Sequence, residues 1–111
     1  KKDCKLIIVA CNTARASALR KIQQGFLIKH YPDRRILGVV VPTIEAAIDA
    51  GCERLGLIGT NYTVHSNVYE AELQKINPSV HIFQERTPLL VPLIEYDGME
   101  WVDQVLDRYI D

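Results

Sequence analysis

The sequence holds little of anything that would commit it to an extreme class. Its three cysteines, Cys4, Cys11 and Cys52, are odd in number and follow no disulfide or zinc-ligand spacing. A reducing, cytoplasmic setting is therefore expected, with thiols left available for chemistry. Neither sign of charge dominates: thirteen Lys and Arg stand against fourteen Asp and Glu. That balance removes any global electrostatic case for nucleic acid or an anionic membrane surface. Long apolar runs are missing too. The longest are Leu6 to Cys11 and, counting Pro92, Leu89 to Ile94, far short of the about 20 residues that a spanning helix needs. The basic start, Lys1-Lys2, leads into an apolar run that stops at Asn12, too short for a secretory signal. There is no G-x-G-x-x-G and no Walker A sequence, which argues against dinucleotide and P-loop sites. His30, His65 and His81 are isolated, so no metal is expected. No internal repeat or low-complexity stretch occurs, and the 48% hydrophobic and 24% charged content is that of an ordinary globular chain. Residue 1 is Lys and the one Met is Met99. A strand-like run begins almost at once, and the expectation is a piece of a longer protein.

What is present is an alternation of short apolar runs with longer amphipathic ones. Lys5 to Ala10 reads as a buried strand, and Thr13 to Gln24 as a helix stopped by Gly25. Gly25 to Arg35 reads as a polar connection turning at Tyr31-Pro32-Asp33. Ile36 to Val41 is a second strand, followed by a helix opened by Pro42 and Thr43 and closed by Gly51. Arg54 to Gly59 is a third strand. The next helix starts at Thr60 or Asn61, carries Val64, Val68, Ala71, Leu73 and Ile76 as its apolar stripe, and ends at Asn77-Pro78-Ser79. Val80 to Phe83 is a fourth strand. Thr87 to Glu95 contains Pro88 and Pro92 and reads as a loop or edge segment. Met99 to Ile110 is a helix that buries Trp101, Val102, Val105, Leu106, Tyr109 and Ile110. The order is βαβαβαβ. Strands that run apolar without alternating imply two covered faces. The fold class is thus α/β, an open parallel sheet in a three-layer α/β/α sandwich.

Ligands of open parallel sheets bind at the carboxyl ends of strands, beside helix N-termini. Two such joints carry informative residues. In Val9-Ala10-Cys11-Asn12-Thr13-Ala14, Cys11 falls at the strand end, and Asn12 and Thr13 are capping types. A thiol there would feel the positive end of the helix dipole, which favours thiolate and lowers its pKa below the usual value of about 8.5. Free backbone N–H groups beside it would suit a carboxylate. The plain alternative is a small buried Cys beside an ordinary cap. The second joint is Ile58-Gly59-Thr60-Asn61-Tyr62-Thr63-Val64-His65-Ser66. It is either another anion site or simple capping by Thr60, with Thr63 and Ser66 bonded to backbone. Two anion-ready joints would suit a ligand with two carboxylates. Glu95 closes a Pro-bounded segment and is either a solvated loop end or a group aimed into a cleft. Cys4 and Cys52 precede strands, at the end opposite the expected ligand site. His65 and His81 read as exposed, Tyr62 and Trp101 as packing residues.

Four of these segments, in order, resemble motifs of the glutamate racemases, in the aspartate/glutamate racemase superfamily. Ile7-Ile8-Val9-Ala10-Cys11-Asn12-Thr13-Ala14 is similar to that family's first catalytic motif, and Gly38-Val39-Val40-Val41-Pro42 to its segment entering the second lobe. Ile58-Gly59-Thr60 with Thr63, Ser66 and Tyr69 resembles its Gly-Thr-x-x-Thr-x-x-Ser-x-x-Tyr pattern. Pro88-Leu89-Leu90-Val91-Pro92-Leu93-Ile94-Glu95 resembles its Pro-Leu-Phe-Val-Pro-Leu-x-Glu segment. Arg15 departs from the pattern, which usually has a small residue there.

The resemblance implies a racemase interconverting L- and D-glutamate without pyridoxal phosphate, metal or other cofactor. Two cysteines on opposite sides of the substrate Cα would exchange its proton. The D-isomer would supply peptidoglycan synthesis, and through it cell-wall biogenesis and cell shape. Carried over by motif, Cys11 is a catalytic cysteine, Asn12, Thr13 and Thr60 hold substrate, Thr63 supports that turn, and Glu95 lies near the ammonium end. Residues 1–41 would end one α/β lobe, and 42–111 would begin a second. The family's Asp-Ser-Gly motif would precede this segment, and its second cysteine, in Gly-Cys-Thr-His, would follow it. The chain alone is therefore expected to be inactive, and the full-length protein to form a homodimer. The alternatives are an aspartate or related racemase of the same superfamily, and a non-catalytic domain that binds acidic ligands.

Overall fold

A computed structural model describes residues 3–12 and 16–110. Strand β1 (Leu6–Val9) is followed by helix α1 (Ala16–Lys21), a π-helical stretch (Ile22–Leu27) and helix α2 (Ile28–His30). Then come β2 (Arg35–Gly38), α3 (Val40–Asp49), β3 (Arg54–Gly59), α4 (Asn61–His65) and α5 (Val68–Ile76). The order closes with β4 (His81–Arg86), α6 (Leu90–Glu95), a 3₁₀ turn (Met99–Trp101) and α7 (Val102–Ile110). The α/β class expected from the alternation holds: strands pair parallel and helices flank them. β1 pairs with β2 from Leu6↔Arg35 to Val9↔Gly38. β3 pairs with β4 from Arg54↔His81 to Gly59↔Arg86. These are two separate two-stranded sheets. Among the described residues, no helix is long and apolar enough to cross a membrane.

The core lies over the second sheet. Ile44 of α3, Tyr69 and Leu73 of α5, and Val80 before β4 form one buried cluster, with Leu55, Leu57 and Ile82 packed beneath it. Leu73 is fully buried. The face that α5 buries is Tyr69, Glu72 and Leu73, the i, i+3, i+4 set of one helical stripe. The single stripe expected from Val64 to Ile76 is broken because the helix is broken: Asn67 adopts φ 53° between α4 and α5. Asn tolerates that left-handed backbone, and the break re-aims everything after it. Ala71 and Ile76 are consequently exposed.

Other boundaries move for identifiable reasons. The first helix does not stop at Gly25 but runs on to His30. Pro32 ends it, since the residue before a proline is pushed out of the helical region, and Tyr31 sits at φ −148°, ψ 65°. The second strand ends at Gly38 rather than Val41, and α3 begins at Val40, so Pro42 is its third residue. Thr87 to Glu95 is not a loop or edge strand throughout, because Leu90–Glu95 is helical with Pro92 again at the third position. A first-turn N–H has no partner within the helix, so proline costs nothing there. Gly51, at φ +76°, closes α3 as anticipated, with its N–H donating to Ile48 O at 2.8 Å and that of Cys52 to Ala47 O at 3.2 Å.

The first strand is not buried. Ile7 and Ile8 are 49% and 64% exposed, because β1 has β2 alone as a neighbour and no helix among the described residues covers its outer face. Trp101 and Ile110, expected inside, are exposed, and Val102, Val105, Leu106 and Tyr109 are only half-buried. Tyr62, expected to pack, is more than a third exposed.

Candidate active site

Beyond the carboxyl end of β1 the chain passes Ala10 to reach Cys11 and Asn12, as the apolar run from Leu6 requires. Both residues line a cavity of about 380 Å³. Its walls also include Leu19, Arg20 and Gln23 from the first helix, Gly38 to Pro42 at the β2–α3 joint, and Glu45 and Glu72. Gly38 permits this close approach: a Cβ there would lie 2.7 Å from Leu19 Cδ2. Cys11 is exposed and Asn12 half-buried. Thr13 lies outside the described residues, as do Ala14 and Arg15.

Asn12 is held from α5. The Tyr69 hydroxyl donates to Asn12 Oδ1 at 3.1 Å. Tyr69 is 5% exposed. Burial raises its phenol above the ordinary value of 10.0. The phenol therefore stays protonated, and remains a donor, throughout the physiological range. One turn along α5, the buried Glu72 carboxylate accepts from Arg20 Nη2 at 2.5 and 2.7 Å. Lys75 Nζ adds a contact at 3.0 Å. A carboxylate this enclosed needs such partners.

The second joint is built as a cap. Thr60 Oγ1 accepts from the Thr63 backbone N–H at 3.1 Å, the two threonine Oγ1 atoms lie 3.1 Å apart, and Ser66 Oγ donates to Thr63 O at 2.7 Å. Thr63 is buried. Thr87 ties the same strand end down, its backbone N–H donating to Gly59 O at 2.8 Å. Thr60 is thus at a strand end, as expected, with part of its bonding capacity committed to α4. Glu95 ends α6 on the exposed surface. Neither Thr60, Thr63 nor Glu95 lines the cavity that brings Cys11 and Asn12 together. Cys4 and Cys52 are exposed and precede β1 and β3, away from the carboxyl ends.

Arg20 and Glu72, which line this cavity, and Tyr69, which bonds to Asn12, were not legible in the sequence as neighbours of Cys11. Tyr69 was visible only as the last member of a motif, and a Glu within a helix reads as a solvated face. Among the described residues, no group of three or more His, Cys, Asp or Glu could hold a metal ion.

Parallel β–α units with a cysteine beyond the carboxyl end of the first strand define an α/β protein with a candidate site at a strand end. No protein-family model matches the chain. It is 41% identical over 108 residues to glutamate racemase of Microcystis aeruginosa, covering 96% of this chain and 36% of that protein. With glutamate racemase of Trichodesmium erythraeum the identity is 35% over 112 residues, covering 99% of this chain and 39% of the other. The crystal structure of glutamate racemase isoform RacE1 from Bacillus anthracis superposes with a TM-score of 0.79 at 28% identity, over 96% of this chain and 39% of that one. Glutamate racemase from Francisella tularensis, solved in complex with D-glutamate, gives 0.71 at 25% identity over 96% and 38%. Along nearly its whole length the chain is therefore a relative of the glutamate racemases, and it spans a little over a third of the length of those it matches.

Proposed function

We propose that this chain is a portion of a cofactor-independent glutamate racemase and that Cys11 is one of its two proton-transfer groups. The observation that carries the reading is the placement of Cys11 and Asn12 together at the end of β1 on a cavity wall, in a chain whose relatives are glutamate racemases. As thiolate, Cys11 takes the α-proton: the Cα–H bond breaks, an S–H bond forms, and the electron pair stays on the substrate carbon. A thiol on the opposite face, from a segment outside these residues, returns a proton and inverts the centre. The reverse direction exchanges the roles. The substrate is glutamate, as the D-glutamate in the Francisella tularensis complex suggests. Asn12 and Thr13 hold one carboxylate and Thr60 the other, with Glu95 toward the ammonium group. When Thr63 Oγ1 donates to Thr60 Oγ1, the Thr60 hydrogen is left for the substrate, which gives Thr63 its supporting role. Residues 1–41 belong to one lobe and 42–111 to the next; the two separate strand pairs support two units, with α3 running across the boundary. In the full-length protein, a cytoplasmic homodimer, the D-glutamate formed would feed peptidoglycan synthesis and thereby cell-wall biogenesis and cell shape.

Thr60→Val tests the second joint. It removes both the cap and the donor, so α4 loses about 1 kcal/mol of local stability, and glutamate binding by the full-length enzyme weakens by about 1–3 kcal/mol. Substrate titration alongside thermal melting separates the two. Lost stability with unchanged affinity would leave Thr60 a cap alone.

The chain by itself should not racemise. Two-sided transfer needs an acid and a base within reach of one carbon. Cys4 lies on the far side of β1 from Cys11, about 23 Å away along an extended chain at about 3.3 Å per residue, and Cys52 precedes β3. L-glutamate incubated with the 111-residue chain in D₂O should keep both its configuration and its α-proton. Appearance of D-glutamate above the buffer control would place the second acid within this chain.

A further inference from the structure

We infer that Tyr69 is a positioning residue for Asn12, fixing which end of the Asn12 carboxamide is offered to substrate. The inference rests on the reading of Asn12 as a substrate-binding residue. The Tyr69 hydroxyl donates to Asn12 Oδ1 at 3.1 Å, across 57 residues of sequence. With Oδ1 occupied as acceptor, the two Nδ2 hydrogens are what remains for a ligand. Donors are what a carboxylate requires, and with the hydroxyl donating to Oδ1 the amide turns them toward the cavity side left open to a ligand. Its own position is well determined. The ring is part of the buried cluster with Ile44, Leu73 and Val80. The next turn of α5 makes a parallel link, Glu72 to Arg20 of α1. One face of α5 therefore grips both the residue after Cys11 and the helix that follows it.

The test is a double-mutant cycle in the full-length protein, with Tyr69→Phe, Asn12→Ala and the pair. Tyr69→Phe keeps the buried ring and should raise KM for glutamate about tenfold, more than it lowers kcat, with little change in melting temperature. Asn12→Ala should cost at least as much, and the double variant no more than Asn12→Ala. Additive losses, or a Tyr69→Phe enzyme with unchanged KM, would overturn the inference. The ¹⁵N signal of the Asn12 side-chain amide, assigned through its loss in Asn12→Ala, gives a reading independent of turnover. It should shift in Tyr69→Phe, and an unmoved signal would overturn the inference. A wild-type protein that does not racemise glutamate would defeat the functional reading, leaving the amide signal to decide the Tyr69–Asn12 coupling.

Discussion

Replacing Cys11 with Ser in the full-length protein should reduce glutamate racemisation by about 10²–10⁴-fold, the range over which a positioned acid–base group acts. A serine hydroxyl holds its proton far more tightly than a thiol, so Cys11→Ser keeps the shape and removes the base. The α-proton of an amino acid is weakly acidic, and nothing else on the described cavity wall offers the same chemistry at the same strand end. Cys11 is exposed and outside the core cluster, so circular dichroism and the melting temperature should stay at wild-type values. Cys52→Ser is the control: Cys52 is exposed and precedes β3, and its loss should leave turnover unchanged. Near-normal activity in Cys11→Ser would remove Cys11 from the chemistry, whatever else the relatives share.

The second large effect is on stability. Leu73 is fully buried and belongs to the cluster with Ile44, Tyr69 and Val80. Leu73→Ala removes apolar atoms with no solvent route to refill the space, and should cost about 2–5 kcal/mol. Urea unfolding should show this as a lower midpoint with an unchanged slope. Since Tyr69 packs in the same cluster, the Tyr69–Asn12 hydrogen bond should weaken with it, raising KM for glutamate. A loss below about 1 kcal/mol would mean that α5 is anchored by its polar contacts rather than by the core.

The residues that spoke most clearly in the sequence are those whose role is local. The placement of Cys11 and Asn12 just beyond the end of β1 was readable because a strand end followed by a capping residue is a short-range pattern. The Gly51 helix stop and the Thr60 cap were readable for the same reason, and both have the local geometry anticipated. Longer-range features were hidden. Glu72 is buried by partners on another helix, and no neighbour in sequence announces Arg20. Tyr69 reaches Asn12 only because Asn67 breaks the helix and turns α5 onto a new face. Pro92 misled: it reads as an interruption but occupies a first-turn position that needs no N–H, whereas Pro42 was read correctly as lying at a helix start, two residues after the helix begins. The exposed apolar residues of β1 were read as buried because a parallel strand ordinarily has cover on both faces, and among the described residues this one has not.

The most direct measurement is the fate of the α-hydrogen when the full-length protein is given pure L-glutamate in D₂O. Two-sided transfer through thiols that exchange with solvent predicts D-glutamate carrying deuterium at Cα, formed by the wild type and lost in Cys11→Ser. D-glutamate that keeps its original hydrogen, or no D-glutamate at all, would contradict the account.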